Sequence, residues 1–409
     1  MASAKSRVVF VVPYAMETTL RFVRAAAALP GVDLGILSQE PPGRLPDDVR
    51  KRLRAHRVVR DPLDPNQLEE GVRGIAPELG GADRLIGILE QLQEPMAVVR
   101  ERLQIRGMSL DEATNFRDKA QMKEVLRANG LPCARHHLAE SRESALAFAE
   151  TCMPLVVKPP SGAGARNTMR VQSKEELEGY LRAVRVSPAE PLLLEEFIQG
   201  REHSLDSVTL GGKPIFHSIT RYYPTPLEVM ENPFLQWCVL LPREIDGPAY
   251  DDIRAAGEKA LSVLGMHTGL THMEWFRRED DSIAISEVAA RPPGAQFTSL
   301  LSFAHDLDFY SAWANLVVHE TFDVPQRNYA VGAMFLRGQG QGRVVRVHGV
   351  EALREELGDR IVQAHLPQVG QPQAQTYEGE GYVILRHPET EAVEDGLRRL
   401  LQVVRVELG

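Results

Sequence analysis

Two glutamates on either side of a short polar turn are the most informative residues of this sequence. Glu274 lies in a strand-like run, residues 271–276, and Glu287 lies in a second one, residues 283–288. The turn between the runs contains Asp280-Asp281, so the segment predicts a β-hairpin. If the turn is centred between these aspartates, the two glutamates face each other with their Cβ atoms roughly 5 Å apart.

Two opposed carboxylates repel each other unless a cation lies between them. Mg²⁺ typically takes one or two protein carboxylates and completes its shell with water and substrate phosphates. We therefore expect Glu274 and Glu287 to bind Mg²⁺ (or Mn²⁺) together with a polyphosphate. The alternative is a pair of solvated hairpin carboxylates.

An arginine follows this hairpin. Arg291 comes four residues after Glu287 and opens a segment rich in proline, residues 291–294. A guanidinium held there is suited to bidentate binding of a carboxylate or a phosphate. The alternative is a surface arginine in an ordinary loop.

A lysine precedes a glycine-rich segment in the middle of the chain. Lys158 ends the apolar run 155–157, and Ser161, Gly162 and Gly164 follow it. Glycines allow backbone amides to approach phosphate oxygens closely. The segment is not a Walker A loop, because the lysine comes before the glycines. A loose hairpin turn has the same composition and remains the alternative.

A third segment combines apolar and acidic residues. An apolar run, residues 191–194, leads into acids, an apolar pair and a further acid. Such an edge offers hydrogen-bonding groups to adenine and a carboxylate to ribose hydroxyls, although a strand leaving the core through a charged turn is the simpler alternative. The residues concerned are Glu195, Glu196, Phe197, Ile198 and Glu202.

The N-terminal elements must position part of this chemistry. Residues 8–12 read as a buried parallel strand, residues 18–29 as a helix and residues 32–37 as a second strand. No Gly-x-Gly-x-x-Gly turn follows the first strand, so this α/β unit is not expected to bind a nucleotide alone. A further strand, residues 84–89, ends at Glu90, which is either a substrate contact or a carboxylate at a helix start.

The remaining elements follow from periodicity and from turn residues. We expect a helix over 114–128, a hairpin around Gly211-Gly212 and a helix over 251–264. Near the C-terminus we expect strands over 329–336 and 381–385, loops over 338–342 and 368–375, and an amphipathic helix over 390–403.

Composition excludes several classes of protein. The chain has 409 residues, a net charge of −9 and three widely spaced cysteines. The absence of a basic footprint argues against nucleic acid, and the cysteines predict neither a disulfide framework nor a metal site. No apolar run is long enough to cross a membrane, so we expect a cytoplasmic protein with no membrane partner.

Taken in order, these segments resemble the ATP-grasp superfamily, and most of all its carboxylate–amine ligase branch, which includes L-amino-acid ligases and carnosine-synthase-like enzymes. The resemblance implies an α/β (α+β) chain with the ATP-grasp fold and a Rossmann-like N-terminal domain. It implies a pre-ATP-grasp domain over 1–112 and an ATP-grasp domain over 113–325, with a lid at about 146–206. Residues 326–409 would form a small C-terminal α+β region packed on the grasp domain.

The resemblance also implies roles for individual residues. Lys119 and Lys158 match the lysines that touch the nucleotide phosphates, and the loop from Ser161 to Thr168 matches the flexible phosphate cover. The segment from Glu195 to Ile198 matches the adenine hinge, with main-chain contacts at Phe197 and Ile198. The ribose acid, the two metal ligands and the arginine that stabilises an acyl phosphate correspond to Glu202, Glu274, Glu287 and Arg291.

One position departs from the family pattern. The family often reads Glu-x-Asn-x-Arg at the second metal site, whereas Ala289 stands at the asparagine position here. The number of metal ions, one or two, therefore stays open. His272 is expected to be structural, and Tyr222, Tyr223 and Trp237 fall where either substrate contact or packing would explain them.

The implied activity is an ATP-dependent ligase that activates a carboxylate as an acyl phosphate and joins it to an amine. Arg291 and Lys158 would be its catalytic residues, its partners would be small-molecule carboxylates and amines, and the family suggests a homodimer. Three alternatives stay open: a carboxylase or purine-pathway type of ligase acting through carboxyphosphate, a silent ATP-binding protein, and a structural protein with a decayed site.

Overall fold

The computed structural model of the protein describes residues 5–162 and 167–409. The N-terminal part is a four-stranded parallel sheet with strand order β3-β2-β1-β4. Helices lie on both sides of this sheet, and the predicted β-α-β opening is confirmed. The elements are β1 (Ser6–Val11), α1 (Glu17–Ala28), β2 (Val32–Ser38), α2 (Asp47–Arg50), β3 (Ala55–Val58), α3 (Pro65–Leu79), β4 (Arg84–Ile86) and α4 (Gln93–Leu103).

Two helices replace the single one expected over 114–128. They are α5 (Leu110–Arg117) and α6 (Lys119–Ala128). Asp118 separates them with an extended backbone, φ −87° and ψ 112°, and its carboxylate accepts hydrogen bonds from the amides of Ala120 and Gln121. This side-chain cap competes with continuation of the first helix. As a result Lys119 is the first residue of α6.

A second, antiparallel sheet has the strand order β5-β8-β6-β7. Leu155 and Val157 of β6 and Leu194 of β8 are fully buried beneath the two helices of this unit. The lid boundaries expected at about 146–206 stay a prediction. The elements are β5 (His136–Ala139), α7 (Arg142–Ala149), β6 (Leu155–Lys158), β7 (Met169–Val171), α8 (Lys174–Ala183) and β8 (Leu192–Glu196).

The largest sheet has eight strands in the order β13-β12-β9-β10-β11-β14-β18-β17. Its last three strands come from the C-terminal part of the chain: β14 (Ala330–Leu336), β18 (Gly381–His387) and β17 (Ile361–His365). Its β9–β10 turn is the hairpin expected at Gly211-Gly212, where both glycines adopt positive φ, 58° and 77°. The first elements of this part are β9 (Gly200–Leu210), β10 (Lys213–Tyr223), α9 (Pro226–Glu231), β11 (Trp237–Leu241), α10 (Asp251–Leu264), β12 (Gly269–Arg278), β13 (Ile283–Ala289), α11 (Phe297–His305) and α12 (Phe309–His319).

The C-terminal strands extend this same sheet. β14 pairs with β11 along five residues, from Trp237↔Phe335 to Leu241↔Val331. The boundary at 325/326 stays a prediction, but hydrogen bonds of one sheet run across it. The elements are β14 (Ala330–Leu336), β15 (Gly338–Gln339), β16 (Val344–His348), α13 (Val350–Leu357), β17 (Ile361–His365), β18 (Gly381–His387), α14 (Thr390–Val403) and β19 (Arg405–Leu408).

Most of the C-terminal predictions are confirmed, with one correction. The segment 338–342 is not wholly a loop, because β15 pairs with β19 in a small three-stranded sheet. The short elements β16, α13, β17 and β19 had no sequence prediction. No helix within the described residues is long and apolar enough to span a membrane. Cys133, Cys152 and Cys238 are all free thiols.

Candidate nucleotide and metal site

The β12–β13 hairpin places Glu274 directly opposite Glu287, as predicted. The turn was expected to be centred between Asp280 and Asp281, however, and it is centred on Asp280 instead. Arg277 pairs with Ile283 and Trp275 with Ile285, so without an irregularity Glu274 would face Ser286. A β-bulge between Glu274 and Trp275 in the pairing shifts the register by one residue, which restores the glutamate pair.

Lys119 approaches this pair from the start of α6. Its Nζ donates to Glu287 Oε1 at 2.9 Å and to the Gly162 carbonyl at 3.1 Å. Burial alone would raise the pKa of Glu287, but Lys119 and Lys158 outweigh it and hold the pKa at about 2. Glu287 is therefore an anion at neutral pH, in the form that binds a metal.

Glu202 contributes a third carboxylate to the same region. It lies on β9, is buried, and pairs in register with Phe276 of β12. Burial, followed by repulsion from Glu274, raises the pKa of Glu202 well above its ordinary value. A positive charge or a hydrogen-bond donor beside Glu202 would stabilise its ionised form. A cation would supply the positive charge, and a ribose hydroxyl would supply the hydrogen bond.

Lys158 lies at the end of β6, and its Nζ is 2.9 Å from Glu195 Oε2. Burial would lower the pKa of Lys158, but Glu195 and Glu287 raise it. Sequence reasoning missed a second partner of Glu195: Lys123, fully buried on α6, has its Nζ 3.3 Å from Glu195 Oε1 and donates to the Ser286 carbonyl. The side chain of Glu195 is thus engaged with two lysines.

The expected adenine hinge follows β8. Glu196 turns away from Glu195 and binds Arg135 at 2.9 Å and Arg278 at 2.6 Å. The Phe197 amide already donates to the Pro154 carbonyl at 2.9 Å. In the described chain, the Phe197 carbonyl and the Ile198 amide have no backbone partner, so they are the main-chain groups left for a base.

The glycine-rich segment is described only in part. Gly162 lines the cavity, and its carbonyl accepts from Lys119 and from Arg117 Nη1, each at 3.1 Å. Ser161 is exposed and does not line the cavity. Gly164 lies outside the described residues, so its expected role stays a prediction.

Arg291 is tied to the N-terminal sheet rather than exposed in a loop. Its Nε donates to Glu90 Oε2, and its Nη1 donates to the Pro292 carbonyl at 3.0 Å. Arg117 Nη1 is 3.9 Å from the other oxygen of Glu90. Burial would lower the pKa of Arg291, but Glu90 outweighs it and raises that pKa. The proposed substrate contact of Glu90 is, in this structure, a contact to Arg291.

His272 is held in a buried network beside the metal-ligand candidates. Its Nδ1 is 2.7 Å from Asp206 Oδ1, and its Nε2 is 3.3 Å from the Tyr222 hydroxyl and 3.7 Å from Glu274 Oε1. Burial lowers the pKa of His272, but Asp206 outweighs it and raises the pKa to about 10. Aromatic side chains form the adjacent wall: Tyr222, Trp237, Phe297 and Tyr377. Tyr223 is exposed.

One cavity of about 420 Å³ joins these groups, a volume within the range of small-molecule sites. Of the described residues to which the resemblance gave a nucleotide, metal or catalytic role by name, all except Ser161 line it, whereas the weaker candidates Glu90 and Tyr223 do not. No group of three or more metal-ligating side chains occurs in residues 5–162 and 167–409. Two carboxylates with lysines around them fit Mg²⁺ carried by a polyphosphate, which brings its own oxygen ligands.

Comparisons with known proteins show which fold this chain shares. Residues 124–300 match the family model described as an ATP-grasp domain. The crystal structure of L-amino acid ligase from Bacillus licheniformis superposes with a TM-score of 0.80 at 20% identity, covering 100% of both chains. Carboxyaminoimidazole ribonucleotide synthase from Aspergillus clavatus, complexed with ATP, gives 0.69 at 16% identity over 97% of this chain and 98% of that one. The chain therefore has the ATP-grasp fold.

Two of the similar curated proteins are amino acid ligases. L-arginine-specific L-amino acid ligase of Bacillus subtilis is 22% identical over 249 residues, which cover 59% of this chain and 59% of that protein. Alanine–anticapsin ligase of Bacillus subtilis is 26% identical over 238 residues, covering 53% and 50%. This chain therefore aligns with 59% of the length of the first relative and with 50% of the length of the second. The resemblance to the carboxylate–amine ligase branch is confirmed.

Proposed function

We propose that this protein is an ATP-dependent carboxylate–amine ligase that forms an amino-acid or dipeptide-type product. The observation that carries the proposal is the opposed pair Glu274 and Glu287, which shares one cavity with Lys119, Lys158 and Arg291. The names of the similar amino acid ligases support a substrate pair of this kind. ATP would occupy the hinge and phosphate side, with Mg²⁺ or Mn²⁺ at the glutamates.

The residues of the chain supply binding and charge stabilisation rather than a nucleophile. A bound divalent ion would neutralise charge that develops on the transferred phosphoryl group. Lys119 and Lys158 would bind the phosphate oxygens, and Arg291, fixed by Glu90, would hold the substrate carboxylate in line with the γ-phosphorus.

Two displacements complete the proposed reaction. A carboxylate oxygen attacks the γ-phosphorus, and the bond to the ADP oxygen breaks, which gives an acyl phosphate and ADP. The amine nitrogen then attacks the acyl carbon, the carbon–oxygen bond to phosphate breaks, and the amine loses a proton to solvent. Exclusion of water protects the acyl phosphate, a role that we assign to the glycine-rich segment.

The test is release of ADP and phosphate from Mg-ATP in the presence of amino acids, offered singly and in pairs, with product mass as the second readout. Release that needs a carboxylate and an amine together, with a condensed product, is the expected result. Bicarbonate-dependent release would instead favour carboxyphosphate chemistry. We retain this alternative because the ATP-complexed synthase has a similar fold. ATP binding without turnover in any pair would contradict the ligase and favour a silent binding protein.

A homodimer and a cytoplasmic location stay predictions. The side chain of Ala289, two residues after Glu287 on β13, offers no ligand atom for a second ion. We propose a single tightly bound ion, with further coordination from phosphate oxygens and water.

A further inference from the structure

A second cavity, of about 610 Å³, lies between the N-terminal sheet and the largest sheet. One wall is β4, the edge strand of the N-terminal sheet. The opposite wall is formed by residues 265–270, which lead into β12, and by residues 290–292, which follow β13. Ligand sites occur preferentially at such interfaces, and this volume lies within their usual range.

Arginines dominate the charge of this cavity. Arg84 Nη2 is 3.0 Å from Glu320 Oε1, and Arg106 Nη1 is 3.3 Å from Glu320 Oε2, so one carboxylate serves two guanidinium groups. Glu112 also lines the cavity, but it accepts from the Ser109 amide at 2.8 Å as part of a helix capping box. The balance is an excess of positive charge.

Arg100 is the third arginine and has no acidic partner within salt-bridge distance in the described part of the chain. Its Nε and Nη2 both donate to the Leu85 carbonyl, at 3.1 and 2.7 Å. Burial lowers its pKa to about 10, with no carboxylate to oppose that effect. Arg100 is half-buried. A guanidinium partly shielded from water without a counter-charge is destabilising, and a bound anion would reduce that cost.

The backbone makes room for Arg100. Gly107 has φ 152°, and a Cβ atom at this position would lie 2.7 Å from Cδ of Arg100. Any other residue at 107 would displace the arginine side chain. The position of Arg100 therefore depends on a glycine in the link between α4 and α5, which also carries Arg106.

We propose that this interdomain cavity binds a small anion with carboxylate or phosphate groups, held by Arg100 together with Arg84 and Arg106. A planar guanidinium pairs well with either group. The anion would lie behind the nucleotide site, since Arg291 lines both cavities. This inference does not depend on the proposed ligase activity.

The test measures the melting temperature of the full chain against rising succinate or inorganic phosphate, at an ionic strength held constant with sodium chloride. An anion that binds the folded state raises the melting temperature in a saturable way. Because hydrogen bonds to charged groups contribute about 1.5–3 kcal/mol, Arg100→Met and Arg84→Met should each weaken the apparent affinity by about tenfold or more. Comparison of the two probes separates a carboxylate ligand from a phosphate ligand.

Arg102→Met is the matched control, because it removes the same charge from an exposed position on the same helix and should keep the wild-type response. Lys158→Met is the comparison variant for the first cavity, because phosphate bound on that side would depend on Lys158 instead. If Arg100→Met does not fold, the largely exposed Arg106 provides a second variant, Arg106→Met. The proposal would be overturned if neither probe raised the melting temperature of the wild-type protein. It would also be overturned if Arg100→Met responded as the wild type does, or if only Lys158→Met lost the response.

Discussion

Lys119 and Glu287 form an ion pair, with Nζ and Oε1 2.9 Å apart, between a residue expected to bind phosphate and one expected to bind metal. The lysine thus neutralises the carboxylate when neither ligand is bound. A bound metal would then pair with Glu287, and a bound polyphosphate would pair with Lys119. The two ligands should therefore bind together more tightly than either does alone.

Glu287→Gln removes the metal-binding charge while keeping the shape of the side chain. We expect ADP formation to fall by about a hundredfold or more, because metal stabilisation of a transferred phosphoryl group contributes several kcal/mol. The measurement is the initial rate of ADP release at saturating Mg-ATP. Glu279→Gln, in the exposed hairpin turn, is the control and should keep full activity. Unchanged turnover in Glu287→Gln would refute the metal assignment.

Arg291→Lys keeps the charge but loses the planar fork that Glu90 holds. We expect kcat to fall by about a hundredfold, since a point charge cannot replace bidentate positioning. Glu90→Gln should also lower kcat, because it loosens Arg291. Rates of the two single variants and the double variant form a cycle, for which we expect a coupling of about 0.5–3 kcal/mol. Fully additive losses would show that Glu90 does not act through Arg291.

Glu195→Leu should destabilise the fold by about 3–5 kcal/mol, because it leaves Lys123 and Lys158 buried without their shared counter-charge. Urea unfolding measures the loss. Glu196→Leu is the neighbouring control. Its arginine partners are more exposed, so its cost should stay near about 1 kcal/mol. Equal losses in the two variants would contradict the role given to the buried cluster.

His305 should make stability depend on pH. Burial lowers its pKa from 6.5 to about 4, so the unfolded chain binds a proton more readily than the folded one does. The contribution is fully present above pH 6.5 and is lost as pH falls toward 4, by about 3 kcal/mol in total.

His305→Gln should flatten this part of the pH profile, as measured by urea unfolding at several pH values across the window. The glutamine amide retains a donor for the Gln326 carbonyl, which lies 2.9 Å from the histidine Nδ1. His365→Gln, at an exposed position, should leave the slope intact. If the free energy of unfolding still depended on pH in His305→Gln as it does in the wild type, other groups would be responsible for that dependence.

Local pattern was sufficient to predict the glutamate pair, but for an incomplete reason. The hairpin was expected from alternation and a polar turn, whereas the facing register depends on a bulge that no turn rule signals. Lys123 was missed although it follows Lys119 by four residues and therefore lies on the same helix face. The opposite directions of Glu195 and Glu196 follow from strand alternation and were also predictable.

Other contacts lie beyond local reasoning. Glu90 and Arg291 are 201 positions apart, and only the packing of the N-terminal sheet on the grasp domain brings them together. The break at Asp118 had a sequence signal, since aspartate favours a helix start, but helical periodicity on both sides concealed it. The C-terminal strands β16 and β17 are largely exposed or half-buried, so they lack the apolar pattern of a core strand, and β19 has only four residues.

The eight-stranded sheet joins the glutamate hairpin at one edge to the C-terminal strands at the other. Backbone amides in β12 and in β18 should therefore be released to deuterium exchange in a single cooperative opening, although more than one hundred residues separate them along the chain. A destabilising change in the last quarter of the sequence would then disrupt the candidate nucleotide site through loss of the shared fold, without touching any ligand.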